Sequence, residues 1–210
     1  MAIISNMTIP DSAIVRDAQE LVRSVSSEML YNHVMRSYYF AELIAKQEGA
    51  KPDSELLFLS AAMHDLGFTN LAGGTNRFEI EGAHAARRFL LNNGQTEDYS
   101  WKVWNNIALH VWDINYFRDD TSRIMQLGIA SDVGGVPSIK FEPADVSEIL
   151  HFFPRLNFKK GFYELLQTEL NDKQPYPHRF HLCTCIDYFQ SGVLNVPSAE
   201  GRLNNAPFDE

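Results

Sequence analysis

Cysteine is scarce in this chain of 210 residues. The only two cysteines, Cys183 and Cys185, are separated by a single residue. So short a loop disfavours a disulfide between them, and one pair of cysteines cannot staple a small secreted domain. The amino-terminal sequence also lacks a basic segment followed by an apolar one, which predicts no signal peptide. Together these features indicate a reduced, cytoplasmic setting.

Clusters of basic residues and long apolar runs are lacking too. Lysine and arginine number 18 against 27 aspartates and glutamates, for a formal net charge of −9. Such an acidic chain is not expected to bind nucleic acid or an anionic membrane surface through charge. No stretch of about 18 uncharged apolar residues occurs, so no membrane span is expected. The remaining expected partner is a small-molecule substrate, and a homo-oligomer stays open.

The period-two alternation that is typical of β-strands is absent, and helical periodicity takes its place nearly throughout. With 45% hydrophobic residues, the chain can bury a sizeable core. We therefore expect an all-α fold, a compact single-domain helical bundle over residues 1–194, followed by a flexible tail over 195–210. The predicted helices are Ile14–Val25, Met29–Glu48, Asp53–Gly67, Phe78–Leu91, Tyr99–His110, Thr121–Val133, Pro143–Phe152, Phe158–Leu170 and His178–Phe189.

The stretch AAMHDLG sets an imidazole and a carboxylate, His64 and Asp65, next to each other at the end of an apolar helix. A buried histidine needs a partner. Neighbours on a helix point about 100° apart, so these two side chains can converge only on something between them. A carboxylate is also disfavoured at a helix C-terminus. A metal ion between the two side chains answers both difficulties.

His33 and Asp132 are the candidates that complete such a site. The helices that carry His33 and His64 are joined by a short linker, so we expect them to be antiparallel neighbours with both histidines at the same end. Asp132 lies in the apolar stretch LGIASDVGG, where an isolated carboxylate is costly, and we predict it to be a fourth ligand. Arg36 shares a helix face with His33 and could pair with a site carboxylate.

A histidine, a His-Asp pair and a distal aspartate on separate helices resemble the HD superfamily of metal-dependent hydrolases. The ordered segments NHVMRSYYFAELIA, AAMHDLG, RFEIEGAHAARRFL, ALHVWDI and LGIASDVGG, within residues 28–136, are similar to its cyanamide hydratase branch. The resemblance implies that His33, His64, Asp65 and Asp132 bind a divalent metal, with zinc implied by the branch. It also implies an enzyme in which water activated by the metal attacks a small electrophile, as in the hydration of cyanamide to urea.

Three further residues extend this interpretation. His84 and His110 could hold a second metal, because HD proteins with two metals carry additional histidines between the His-Asp pair and the distal aspartate. Iron or manganese would then replace zinc. By the resemblance, Glu79 could be an acid or base in the pocket, so that Asp65, His110 and Glu79 are the catalytic candidates.

The sequence leaves three other functions open. The first is an HD phosphohydrolase acting on a nucleotide or a small phosphoester, although no basic cluster lines the motif segments. The second is a di-iron oxygenase, which would need the second metal. The third is a metal-binding module without catalysis. The expected substrate pocket has apolar walls, for which the candidates are Tyr38, Phe68, Phe78, Trp104 and Trp112.

Overall fold

The computed structural model describes residues 4–172, which contain eight α-helices and no β-strand beyond an isolated bridge between Ile4 and Met7. The predicted all-α helical bundle is confirmed. The predicted helix His178–Phe189 and the tail 195–210 lie outside the described residues. The helices are α1 (Ala13–Val25), α2 (Glu28–Glu48), α3 (Ser54–Met63), α4 (Phe78–Asn92), α5 (Glu97–Leu109), α6 (Asp120–Val133), α7 (Pro143–Phe152) and α8 (Phe158–Asp172).

Side-chain caps explain where most of these helices begin. In each case a hydroxyl or carboxylate just before the helix accepts a hydrogen bond from a backbone N–H of the first turn, which would otherwise lack a partner. Five of the eight helices start this way. The capping residues are Ser12, Ser27, Asp53, Thr96 and Asp119.

Helix α2 is the centre of the bundle and packs closely against α6. The closeness depends on Gly128 of α6, because a Cβ at this position would clash with the carbonyl oxygen of Ser37 and with Ala41 on α2. Ser37 and Gly128 lie one helical turn from His33 and Asp132 respectively. A small residue at the crossing thus lets α2 and α6 present these two side chains to each other.

Helix α3 ends earlier than the sequence predicts. Instead of continuing to Gly67, it stops at Met63, and a short 3₁₀ helix, Leu66–Phe68, follows. His64 is still in the right-handed helical region, but Asp65, with φ −102° and ψ 14°, leaves it. The His-Asp pair therefore lies in a turn after the helix, which frees the Asp65 side chain from the 100° spacing expected on a continuous helix.

Close backbone packing fixes this turn against α4. A Cβ on Gly67 would clash with the carbonyl of Phe78, and a Cβ on Gly82 would come 2.8 Å from the Gly67 nitrogen and 3.4 Å from the His64 oxygen. Both contacts require residues without a side chain. The two glycines hold the start of α4 directly against the turn that carries His64 and Asp65.

Candidate metal centre

Three side chains from α2 and the turn after α3 converge at one buried point. One ligand atom from each of His33, His64 and Asp65 lies within 4.8 Å of the other two. The Nε2 atoms of His33 and His64 are 3.5 Å and 3.4 Å from Oδ2 of Asp65, and the two ring centroids are 5.1 Å apart. These three residues form a group that could hold a metal ion.

The potential metal-binding atoms of this group make no hydrogen bonds within the protein. The side chains are at most 2% exposed. Neither Nε2 atom and neither oxygen of Asp65 has a hydrogen-bond partner in the protein. Leaving a buried polar atom without a partner costs about 1–3 kcal/mol. Four such atoms in one place fit a divalent cation, which would satisfy all of them at once.

Hydrogen bonds on the opposite side of each ring select the tautomer that a metal needs. Nδ1 of His33 donates to Oδ2 of Asp132 over 2.7 Å, and Nδ1 of His64 donates to the carbonyl of Ala61 over 2.8 Å. With the proton on Nδ1, the lone pair is on Nε2, which is the atom in the group. Such a partner behind a ligating histidine orients the ring and raises its basicity.

The pKa values of His64 and Asp65 are also consistent with a bound cation. Burial, together with the nearby His33, lowers the pKa of His64 to about 3, so its imidazole is neutral at pH 7. Burial raises the pKa of Asp65, although His33 and His110 act in the opposite direction. The carboxylate is thus short of positive charge in its own surroundings, which is the condition that a bound cation reverses.

Asp132, predicted as a fourth ligand, contacts the other side of His33 and is not in the group that could share one ion. Its carboxylate also accepts two hydrogen bonds from Arg36, of 2.7 and 2.8 Å, and one of 2.9 Å from Arg155. Although burial raises the pKa of Asp132, the hydrogen bonds from His33 and Arg36 lower it to about 2. The structure therefore shows Asp132 as an ionised partner of His33, and Arg36 pairs with a site carboxylate.

His110 lies beside the group and is 6% exposed. Its ring centroid is 5.0 Å from that of His64, and its Nδ1 donates to the carbonyl of Ile107 over 2.6 Å. Its Nε2 therefore carries the lone pair. Burial lowers the pKa of His110 to about 3. It is a neutral imidazole adjacent to the candidate metal position, without being one of the three grouped ligands.

His84 is held elsewhere. Its Nδ1 accepts a hydrogen bond of 3.2 Å from Nε1 of Trp104, and it is partly exposed on α4. Within the part of the chain that the structure describes, His84 does not join the group of His33, His64 and Asp65. One of the two histidines that the sequence suggests for a second metal, His84, thus contacts a tryptophan instead.

Glu79 is fully buried in the first turn of α4 and forms an ion pair with Arg77. Burial raises its pKa, although the charge of Arg77 lowers it. The guanidinium of Arg77 in turn lies 4.7 Å from the ring centroid of Trp112. Glu79 is adjacent in sequence to Phe78, whose ring is 5.8 Å from that of His110. A buried carboxyl with a raised pKa is therefore present next to the wall of the site.

Phenylalanines enclose the group, and the sequence interpretation found only part of this wall. Phe68 and Phe78 stack on each other with centroids 4.2 Å apart. From α8, Phe158 stacks on His33 at 4.6 Å and Phe162 lies 5.5 Å from the same ring. The stretch HFFPRLNF that carries Phe158 gives no local signal of a site, because only the fold brings α8 over α2.

The other predicted wall residues lie apart from the group. Tyr38 packs in the core, with its ring centroid 5.0 Å from that of Phe58. Trp104 contacts His84, at 5.6 Å between centroids. Trp112 is 38% exposed and covers Arg77. Arg155, which the sequence interpretation did not consider, is the unexpected member of the site.

Comparison with known proteins adds no assignment: no family model matches the chain, and no curated protein matches it. Among the described helices, none is long and apolar enough to cross a membrane.

Proposed function

We propose that the protein is a metal-dependent hydrolase or hydratase of the HD type, in which water attacks a small electrophile in an enclosed pocket. The observation that carries the proposal is the set of four partnerless buried atoms, Nε2 of His33, Nε2 of His64 and the two oxygens of Asp65. Their chemical types support zinc as the cation, because zinc binds imidazole nitrogen together with carboxylate oxygen. When bound, zinc lowers the pKa of a coordinated water towards 7 and so supplies a nucleophile at neutral pH.

Each ligand's surroundings support a defined role. His33 and His64 would hold the cation through Nε2, because their Nδ1 atoms are engaged by Asp132 and Ala61. Asp65 contributes negative charge. Asp132 would not bind the cation directly. Instead, its carboxylate orients the ring of His33. Three charge-assisted contacts from Arg36 and Arg155 keep Asp132 fixed and ionised.

His110 and Glu79 are the proposed acid–base residues. His110 has its Nε2 lone pair available, and its ring packs edge-on against His64 at 75° between the planes. It is therefore placed to accept a hydrogen bond from the attacking water. Burial raises the pKa of the Glu79 carboxyl, which makes Glu79 the candidate for proton transfer in the pocket, while its ion pair with Arg77 favours the ionised form. Asp65 completes the catalytic set as a ligand carboxylate.

The walls favour a small, uncharged substrate over a phosphoester. Three arginines lie against the site, and each is engaged: Arg36 and Arg155 bind Asp132, and Arg77 pairs with Glu79. A phosphate needs cationic donors of its own. The phenylalanine rings around His33 offer an apolar surface instead. This agrees with a nitrile-like electrophile, for which cyanamide, hydrated to urea, is the first choice.

One metal is favoured over two. His84 lies in a hydrogen bond with Trp104, outside the group. The sequence resemblance to cyanamide hydratases points in the same direction, because that branch implies a single zinc. A di-iron oxygenase would need further donors beside His110.

The test is urea formation from cyanamide by the full chain loaded with zinc. The wild type and His151→Ala, which removes an exposed histidine on α7, should both produce urea. His64→Ala should fall to background. A wild-type protein that binds zinc, ignores cyanamide and cleaves phosphoesters would make it a phosphohydrolase, and one that turns over neither would make it a binding module. Two irons per chain would indicate the oxygenase.

A further inference from the structure

Helix α8 forms one wall of the candidate site and covers the group of His33, His64 and Asp65 with aromatic side chains. Phe158 and Phe162 cover the ring of His33, and Phe162 also contacts Phe68 across the site at 5.8 Å. Tyr163 and Leu166 continue this cover over Phe78. With the ligand side chains at most 2% exposed, a substrate can enter only if part of this wall moves.

The segment before α8 is tied firmly to the bundle up to residue 155. Asn32 donates to the carbonyl of Pro154 over 3.0 Å, and Arg36 donates to the carbonyls of Phe153 and Pro154. Arg155 binds both the main-chain oxygen and the carboxylate of Asp132, each at 2.9 Å. The rigid part of the connection therefore ends at Arg155.

Two residues with left-handed backbone conformations follow immediately. Leu156 has φ 48° and Asn157 has φ 62°, values that L-residues adopt rarely. Leu156 is also 45% exposed. A change of backbone angles at these two residues would swing α8 without disturbing the anchors before it, which is how hinges at element ends act.

Arg155 spans this hinge. On the fixed side its guanidinium binds Asp132, and on the helix side it lies 4.8 Å from the ring centroid of Phe158, the first residue of α8. Phe158 in turn stacks on His33, which Asp132 orients. We propose that α8 is the movable wall of the site, hinged at Leu156 and Asn157, and that Arg155 is the positioning residue that holds it closed.

The charge balance supports a positioning role for Arg155. Arg36 is fully buried and already pairs with both oxygens of Asp132. Arg155 is 32% exposed in its side chain and is the additional cation. Both arginines join Asp132 to the Phe158 ring, Arg36 at 5.4 Å and Arg155 at 4.8 Å from its centroid. Arg155 differs in lying directly before Leu156 and Asn157 in the chain, so its contact bridges the proposed hinge. As far as it concerns substrate entry, this inference rests on the proposed function; the motion of α8 does not.

Hydrogen exchange of the full chain tests the wall directly. In Arg155→Met, the amides of residues 158–169 should exchange about fivefold faster, the size expected from losing a partly exposed ion pair, while those of α2 and α6 keep their rates. The matched control is Arg87→Met. Arg87 is also partly exposed, also pairs with a carboxylate, Glu97, and also lies over an aromatic ring, that of Trp101 at 4.4 Å. Its loss should leave α8 unchanged.

Zinc kinetics supply the readout that a loss of structure would not give. A looser wall should speed both zinc uptake and zinc release to a chelator by about fivefold, with little change in their ratio. Unchanged α8 exchange in a folded Arg155→Met protein overturns the inference. If that variant does not fold, Arg155→Lys takes its place, with a smaller acceleration expected and unchanged α8 exchange again overturning the inference. If the wild type binds no zinc, the proposed function falls, while the exchange data still decide on the wall.

Discussion

Nδ1 of His33 on α2 donates a hydrogen bond of 2.7 Å to Oδ2 of Asp132 on α6, across a sequence separation of 99 residues. Both side chains are fully buried. Because the Nδ1 proton is held by an ionised carboxylate, the Nε2 lone pair of His33 faces His64 and Asp65. The contact joins the packing of two helices to the chemistry of the site, since the position of His33 depends on how α6 meets α2.

Replacing Asp132 should therefore lower the free energy of unfolding. In Asp132→Asn the buried guanidinium of Arg36 loses its counter-charge, and removing one partner of a buried ion pair costs about 3–5 kcal/mol. Chemical denaturation of the metal-free protein measures the loss. The control is Asp11→Asn, which removes an exposed pair with Arg16 and should cost less than about 1 kcal/mol. Equal losses in the two variants would contradict the buried network.

A second prediction concerns the close packing of α2 against α6 at Gly128. In Gly128→Ala the added methyl group meets Ser37 and Ala41, so the helices must separate at the turn next to His33 and Asp132. We expect a loss of about 1–3 kcal/mol in stability from overpacking, together with weaker zinc binding. Gly134→Ala, at the end of the same helix, meets no atom within 4 Å and should leave zinc affinity unchanged. If Gly128→Ala binds zinc with wild-type affinity, the geometry of the site does not depend on the close packing of α2 against α6.

The pH dependence of stability should reveal the buried His110. Its pKa falls from 6.5 to about 3 on folding, chiefly through burial. Between these values the unfolded chain binds more protons than the folded one, so the stability that neutral His110 permits is present above pH 6.5 and is lost as the pH falls towards 3. The metal-free wild type should therefore lose about 2 kcal/mol more than His110→Gln between pH 8 and pH 5.

Denaturation curves of metal-free protein at the two pH values give this difference. His151→Gln, in which the replaced histidine is exposed, serves as the control and should follow the wild type. A His110→Gln variant with the same pH dependence as wild type would show that His110 titrates normally in the folded protein.

The sequence predicted the helices well because their signals are local. Periodicity and caps such as Asp53 and Thr96 act within one turn, and seven of the eight described helices begin and end within a few residues of the prediction. The exception is α3, where an apolar run continues past the true end. Gly67 packs against Phe78 in the turn that follows the helix, and such a contact between distant residues is not visible in local periodicity.

The candidate site, too, could be predicted from the sequence only in part. His33, His64 and Asp65 could be brought together from sequence, because a short linker fixes how α2 and α3 run. Whether Asp132 would meet the metal or the far side of His33 depended on a rotation of α6 that the sequence does not encode locally. Arg155 and Phe162 lie more than 100 residues from His33 in sequence. Only tertiary packing brings Arg155 to Asp132 and Phe162 to the ring of His33.

The most direct test of the account is zinc binding by the full chain, with X-ray absorption spectroscopy to identify the ligands. We expect one zinc per chain with two imidazole nitrogens at about 2.0–2.1 Å and carboxylate oxygen at about 2.0–2.2 Å. Binding should be lost in His33→Ala, His64→Ala and Asp65→Asn and kept in His84→Ala. A wild-type protein that binds no divalent metal, or that keeps its zinc after loss of both His33 and His64, would contradict the central claim.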